Sequence, residues 1–179
     1  MIPIEFRPMI AADAPVVAAL HADSWRSAYR GILSDDYLDH LADADRRAVW
    51  SQRLPAADDG RFGIVAWDGI TAVGFVYVIV DADPTWGTLI DNLHVAPRVR
   101  SAGIGPRLLA AAGGGVQARG WDRRVHLWVY DANVRARAFY ARMCGREVET
   151  IMKATPDGVA AREWRVAWDD VAQLLAHAE

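Results

Sequence analysis

Residues 93–109 read LHVAPRVRSAGIGPRLL. An apolar strand, Leu93-His94-Val95, runs into Ala96-Pro97, then into Arg100-Ser101-Ala102-Gly103-Ile104-Gly105, and a helix-like run starts at Pro106. The order is strand, small-residue turn, helix start. Glycines let the backbone bend tightly and come close to a ligand. The first turn of a helix leaves N–H groups without internal partners, and the helix dipole makes that end positive. Such a turn suits an anion such as a pyrophosphate. Arg100 adds a permanent charge and a planar fork of donors. Two glycines before a helix also make a plain tight turn, so the stretch alone leaves both readings open. A Walker loop is excluded, because Gly105 is followed by Pro106-Arg107 instead of Lys-Ser/Thr. A dinucleotide fingerprint is excluded by the glycine spacing and by a position past the middle of the chain.

Working outward, the chain of 179 residues has the length of one domain, taken as 1–179. Apolar residues make up 53% and charged residues 24%, the composition of a soluble globular protein. A net charge of −3 gives no general attraction to nucleic acid or to an anionic membrane. No apolar run reaches membrane-spanning length, and MIPIEFRPM lacks the pattern of a signal peptide. The single cysteine, Cys144, forbids an internal disulfide and suits a reducing cytoplasm. It is expected to be buried and inert. The five histidines show no ligand-like spacing, so no metal site is expected.

The coarse pattern starts with a strand at Ile2–Arg7 and a helix from Ala11 to about Tyr29. Ser34-Asp35-Asp36 caps a second helix through about His40, and residues 43–54 form another short one. Strands Arg61–Trp67 and Thr71–Val80 join at Asp68-Gly69, a hairpin signal. Trp86–Val95 delivers the opening loop. The following helix runs to about Arg119, with Gly113-Gly114-Gly115 expected to interrupt its second half. Arg123–Tyr130 is a strand and Asn133–Met143 a helix. Gly145–Lys153 and Ala160–Trp168 close a hairpin around Pro156-Asp157-Gly158, and Val171–Ala178 ends the chain as a short helix.

A second stretch, LWVYDANVRARAFYARM at 127–143, removes most of the ambiguity. Together the two resemble the GNAT acetyltransferase superfamily, whose acyl-CoA loop reads Arg/Gln-x-x-Gly-x-Gly/Ala. Arg100, Gly103 and Gly105 match its fixed positions, Val95 and Pro97 the lead-in, and Leu108-Leu109 the pair that follows. Asn133, Phe139 and Tyr140 match the second segment of the family. His21, Ser24-Trp25-Arg26, Tyr29-Arg30-Gly31-Ile32, Tyr37-Leu38 and Trp50 resemble a subgroup of small bacterial members. The resemblance spans most of residues 4–168. It departs at Pro106, and at Cys144-Gly145, where the family has Gly and then an aromatic residue; the helix stop is expected to move to Gly145.

The resemblance implies an α/β fold: a central mixed, mostly antiparallel sheet of about six or seven strands with helices on both faces. It implies an acetyl-CoA-dependent N-acetyltransferase that releases CoA after direct attack by an amine in a ternary complex. The cofactor-binding set would be Leu93, His94, Val95, Arg100, Ser101, Ala102, Gly103, Ile104, Gly105, Pro106, Asn133, Ala136, Phe139 and Tyr140. Tyr140 is the candidate acid at the departing thiolate, whereas a core tyrosine is the plainer reading. Asn133 can cap its helix and touch the cofactor. Asp91 and His94 are the candidate bases; a histidine of ordinary pKa suits proton abstraction at neutral pH, and a water chain is the alternative. Strict alternation puts Asp91, Leu93 and Val95 on one face and Asn92 and His94 on the other, a rule that a bulge would break.

Trp25, Tyr29, Arg30 and Tyr37 are the acceptor-pocket candidates, and Arg30, if it faces the pocket, would favour a carboxylate on the acceptor. Trp86 and Trp128 fit core or pocket wall. A small-molecule amine is the expected acceptor, with a protein N-terminus or lysine as the alternative and no nucleic-acid or membrane partner. A homodimer is compatible with the apolar closing hairpin. The rival from another class is a non-catalytic acyl-CoA-binding module that keeps Arg100, Gly103 and Gly105 without a working base. An unrelated phosphate-binding α/β protein would instead prefer ATP or NAD.

Overall fold

The computed structural model describes residues 3–54, 60–100, 102–120 and 123–176. Among them seven strands form one sheet in the order β1-β2-β3-β4-β5-β7-β6. The strands are β1 (Glu5–Pro8), β2 (Arg61–Trp67), β3 (Ala72–Asp83), β4 (Gly87–Val95), β5 (Val125–Tyr130), β6 (Arg146–Ala154) and β7 (Ala160–Trp168). All pairings are antiparallel except β4 with β5. The mixed, mostly antiparallel sheet expected from the sequence is therefore present.

Five α-helices accompany it among the described residues: α1 (Ala14–Ala28), α2 (Ala42–Arg53), α3 (Ile104–Ala118), α4 (Val134–Arg142) and α5 (Ala172–Leu175). Alternation along β3 sorts the core into two layers. Val76 and Val78 face Leu108, Leu109 and Val116 of α3, while Phe75 and Tyr77 face Val17 and Leu20 of α1 and Trp50 of α2. Gly74 lies on the α3 face, where a Cβ would stand 3.0 Å from Leu108 Cδ1. A third cluster, with Trp25, Leu33, Tyr37 and Leu38, fills the turn between α1 and α2.

Several local expectations change. The first helix opens with a 3-10 turn at Ala11–Asp13, where Arg7 donates two hydrogen bonds of 2.8 Å to the buried Asp13 carboxylate. The two helices expected around residue 40 are one continuous helical run, joined through a π turn at Tyr37–Leu41. Helix α3 continues through its three glycines, because they are where neighbours come close. A Cβ at Gly113 would sit 3.3 Å from Leu174 Cβ of α5, and one at Gly115 would collide with Phe62 of β2 at 2.6 Å. Backbone freedom is given up to bring helix, sheet and α5 together.

The stop of α4 also differs. Gly145 N–H donates to Tyr140 O and Cys144 N–H to Ala141 O, so the left-handed position falls on Cys144, with φ +62°. Gly145 is required for space instead, since a Cβ would lie 2.5 Å from Val166 Cγ1. Cys144 itself is exposed, not buried. No described helix is long and apolar enough to cross a membrane.

Candidate active site

Strands β4 and β5 pair only at Thr88–Val125 and Leu89–His126. Beyond that point they diverge, and Ile90–Val95 and Leu127–Tyr130 line opposite walls of a cavity of about 1090 Å³. The splay leaves the facing strand edges open to a ligand.

The strand also carries a bulge. Tyr77 pairs with Asn92 and Val78 with Ile90, which leaves Asp91 as an extra residue. Strict alternation therefore fails here: the Asp91 side chain accepts from Arg53 Nη1 of α2 at 2.5 Å, and the same guanidinium reaches Asn92 Oδ1 at 3.3 Å. Asp91 lines the cavity but is committed to an ion pair, which weakens its candidacy as a base.

His94 lines the cavity, with Nδ1 3.0 Å from Ser24 Oγ and its ring 4.3 Å from that of His21. His21 is fully buried and its Nδ1 accepts from Trp50 Nε1 at 3.0 Å. Burial, with the nearby Arg46 and Arg100 charges, pushes the His94 pKa down to about 3. The ordinary histidine pKa assumed from sequence does not hold. The imidazole is neutral throughout the physiological range, which suits a hydrogen-bond acceptor and makes it a weak proton sink.

The loop before α3 is shaped as the sequence implied. Gly103 caps the helix at φ +73°, and the first intrahelical bond runs from Arg107 N–H to Gly103 O. Ile104, Gly105 and Pro106 thus occupy the first turn, where N–H groups have no internal acceptor, and Pro106 costs α3 no bond. Gly103, Ile104, Gly105 and Pro106 all line the cavity. A Cβ on Gly105 would stand 3.2 Å from Phe139 Cζ, so the loop and α4 meet there.

Arg100 lines the same end and donates to Ser27 Oγ at 2.7 Å. Its pKa is lowered by burial and by the charge of Arg135. Arg135 faces this cavity too; the sequence reading missed it, although it stands two residues after Asn133. Two cations held near each other beside a helix N-terminus make an anion site. Ala102 is used locally, its N–H donating to Val99 O, and it does not line the cavity. Ser101 lies outside the described residues.

Asn133 caps α4, with Oδ1 accepting from Ala136 N–H at 3.3 Å, and both residues face the cavity. Tyr140 is 8% exposed and lines it as well, against Phe139 and Trp168 at ring distances of 5.2 and 6.2 Å. Burial alone holds its phenol well above the ordinary tyrosine pKa. Tyr140 is therefore a neutral O–H donor.

Of the acceptor-side candidates, Trp25 and Tyr29 line the cavity with rings 5.6 Å apart. Arg30 reaches the rim, but its guanidinium is tied to Asp35 and Asp39, so it offers no free charge to a carboxylate. Tyr37 does not line the cavity; it is buried in the third cluster with its hydroxyl donating to Asp45. Trp128 is a wall residue, and Arg165 stacks over it at 4.3 Å. Sequence reasoning missed Tyr130 and Glu163, which meet across the β5–β7 pair and both line the cavity. No spacing rule links residue 163 to a loop at residue 100.

A model described as the acetyltransferase (GNAT) family matches residues 20–145. A probable N-acetyltransferase of Mycobacterium tuberculosis is 29% identical over 150 residues, covering 78% of each protein. The PaiA N-acetyltransferase of Thermoplasma acidophilum, solved in complex with coenzyme A, superposes with a TM-score of 0.70 at 19% identity, over 90% of this chain and 98% of that one. A GCN5-related N-acetyltransferase structure from Rhodopseudomonas palustris gives 0.73 at 22% identity, over 92% and 94%.

Proposed function

This chain belongs to the acetyltransferase (GNAT) family, and from that premise we propose that it transfers an acetyl group from acetyl-CoA to a primary amine of a small-molecule acceptor. The observation that carries the reading is the continuous cleft from the α3 N-terminus to the splayed edge of β4, with Tyr140 on its wall. Coenzyme A in the Thermoplasma relative supports the choice of cosubstrate.

The residues fit that group. The first turn of α3, with Arg100 and Arg135, supplies N–H groups and positive charge for a pyrophosphate. The open edge of β4 supplies backbone donors along Leu93–Val95 for the acyl carbonyl. The cosubstrate contributes an acetyl group already activated as a thioester. A donor aimed at the oxygen where charge develops is typically worth ~3 kcal/mol. Tyr140 donates to the sulfur as negative charge builds there. Its raised pKa makes full proton transfer uphill, so it acts by hydrogen bonding along the reaction coordinate. Neutral His94 and Asp91, which is paired with Arg53, line the β4 wall without offering a free base, and a water chain is the route we favour for taking the amine proton.

A thermal-shift titration with acetyl-CoA, CoA, ATP and NAD tests the reading, since a ligand that binds only the folded state raises the melting temperature. Shifts with acetyl-CoA and CoA alone are expected, followed by thiol release on adding amines. Equal shifts with ATP or NAD would overturn it. Binding of acetyl-CoA without thiol release from any amine would favour the non-catalytic module.

A further inference from the structure

One carboxylate in the cleft is buried without the partners that the fold gives its other buried carboxylate. Asp13, 5% exposed, receives a bidentate Arg7 and the Ile10 N–H, and its pKa is lowered. Glu163, 8% exposed, lines the cavity, and its Oε2 is buried without a hydrogen-bond partner. Burial raises its pKa, while the charge of exposed Lys153 pulls the other way. A buried ionisable group left this way is costly unless a counter-charge arrives.

Around Glu163 stand the faces and edges that suit a cation. Tyr130 is its cross-strand neighbour, and Tyr29 packs edge-on against Tyr130 at 5.0 Å. Tyr29, Tyr140 and Glu163 line the same cavity. Aromatic rings attract an ammonium over their faces. Arg30, the rim cation expected to choose a carboxylate, is neutralised by Asp35 and Asp39. The wall around Glu163 thus presents a carboxylate and aromatic rings, with Lys153 as the cation that lines the same cavity.

We propose that Glu163 is the receptor for the acceptor's ammonium group, so that the substrate class is a cationic alkylamine and not a carboxylate-bearing acceptor. The proposal rests on the acetyltransferase reading for the word acceptor only; the ammonium subsite stands or falls on its own. An ammonium in the cavity forms a charge-assisted hydrogen bond to the carboxylate that Glu163 presents at the wall.

The test follows the carboxyl carbon of Glu163 by NMR in the full chain labelled at glutamate Cδ, with the resonance assigned by its loss in Glu163→Gln. Methylammonium chloride is titrated at constant ionic strength against sodium chloride and methanol. We expect a saturable shift with methylammonium, at least tenfold tighter than with sodium, and none with methanol. Absence of a saturable shift, or an equal response to sodium, overturns the proposal. Calorimetric binding of acetyl-CoA is measured on the same samples. Wild type that binds methylammonium but not acetyl-CoA sinks the acetyltransferase reading and leaves the subsite intact. Acetyl-CoA binding without a Glu163 response does the reverse. Glu163→Gln is expected to keep acetyl-CoA affinity within twofold while losing the ammonium preference in amine turnover.

Discussion

The two ends of the β4–β5 cleft are built by different means. At the α3 end the ligand-facing groups are mostly backbone: the first turn of a helix, a left-handed Gly103, and an open strand edge. Around Glu163 they are side chains drawn from distant parts of the chain, with Tyr29 from the end of α1, Tyr130 from β5 and Glu163 itself from β7. Backbone sites need glycines and a helix start in sequence order. Side-chain sites need only that the sheet bring their owners together. A shared cosubstrate with a variable acceptor is what such a division favours.

Four substitutions or titrations would break or sharpen that contrast. Tyr140 lines the cleft, and Tyr140→Phe should lower kcat by on the order of 10²-fold, with CoA affinity within twofold. Equal losses in both would show it to be a packing residue. At the backbone end, Gly105→Val drives a side chain into Phe139. Overpacking of this kind costs ~2 kcal/mol, or roughly 10- to 100-fold in CoA affinity. The ammonium response of Glu163 should be untouched.

The third concerns His94. Its folded pKa of about 3 lies below the ordinary 6.5, so the unfolded state binds the extra proton. Its contribution is complete above pH 6.5 and is lost as pH falls toward 3. The urea midpoint of the wild type should therefore drop across that window, and His94→Gln should flatten the slope by about one proton. A parallel slope in the variant would assign the loss to His21 and His126, both also lowered by burial. The smallest effect is expected away from the cleft. Cys144→Gly should relieve a left-handed residue and stabilise the fold by about 1 kcal/mol, with kinetics unchanged. A destabilised variant would mean that the Cys144 side chain makes contacts worth more than the strain.

The same contrast explains what could be read in the sequence. Arg100, Gly103, Gly105 and Asn133 were legible because strand, turn and cap each demand particular residue types at fixed offsets. The mostly antiparallel sheet followed from the resemblance to the acetyltransferase superfamily, and the Asp68-Gly69 hairpin is consistent with it. A bulge was named as what would break the alternation, but its place at Asp91 leaves no mark in a run as short as Ile90-Asp91-Asn92. Tyr37 was placed at the pocket because nothing in its spacing announces the π turn that carries it into a separate cluster. Arg30 is near the pocket, but its neutralisation depends on Asp35 and Asp39 folding back on it. Glu163 was invisible for the plainest reason. Alternation on β7 says which face it takes, and nothing local says that the cleft opens there.

Finally, the β4–β5 contact is a fulcrum. Gly87 at φ +73° brings β4 so near β5 that a Cβ would meet Arg124 O at 2.5 Å, and Thr88 N–H donates to that same oxygen at 3.0 Å. From there β4 runs on through Ile90–Val95 with β3 on one side and the cleft on the other, so the place where the two walls part is fixed at Gly87, a residue outside the cavity lining.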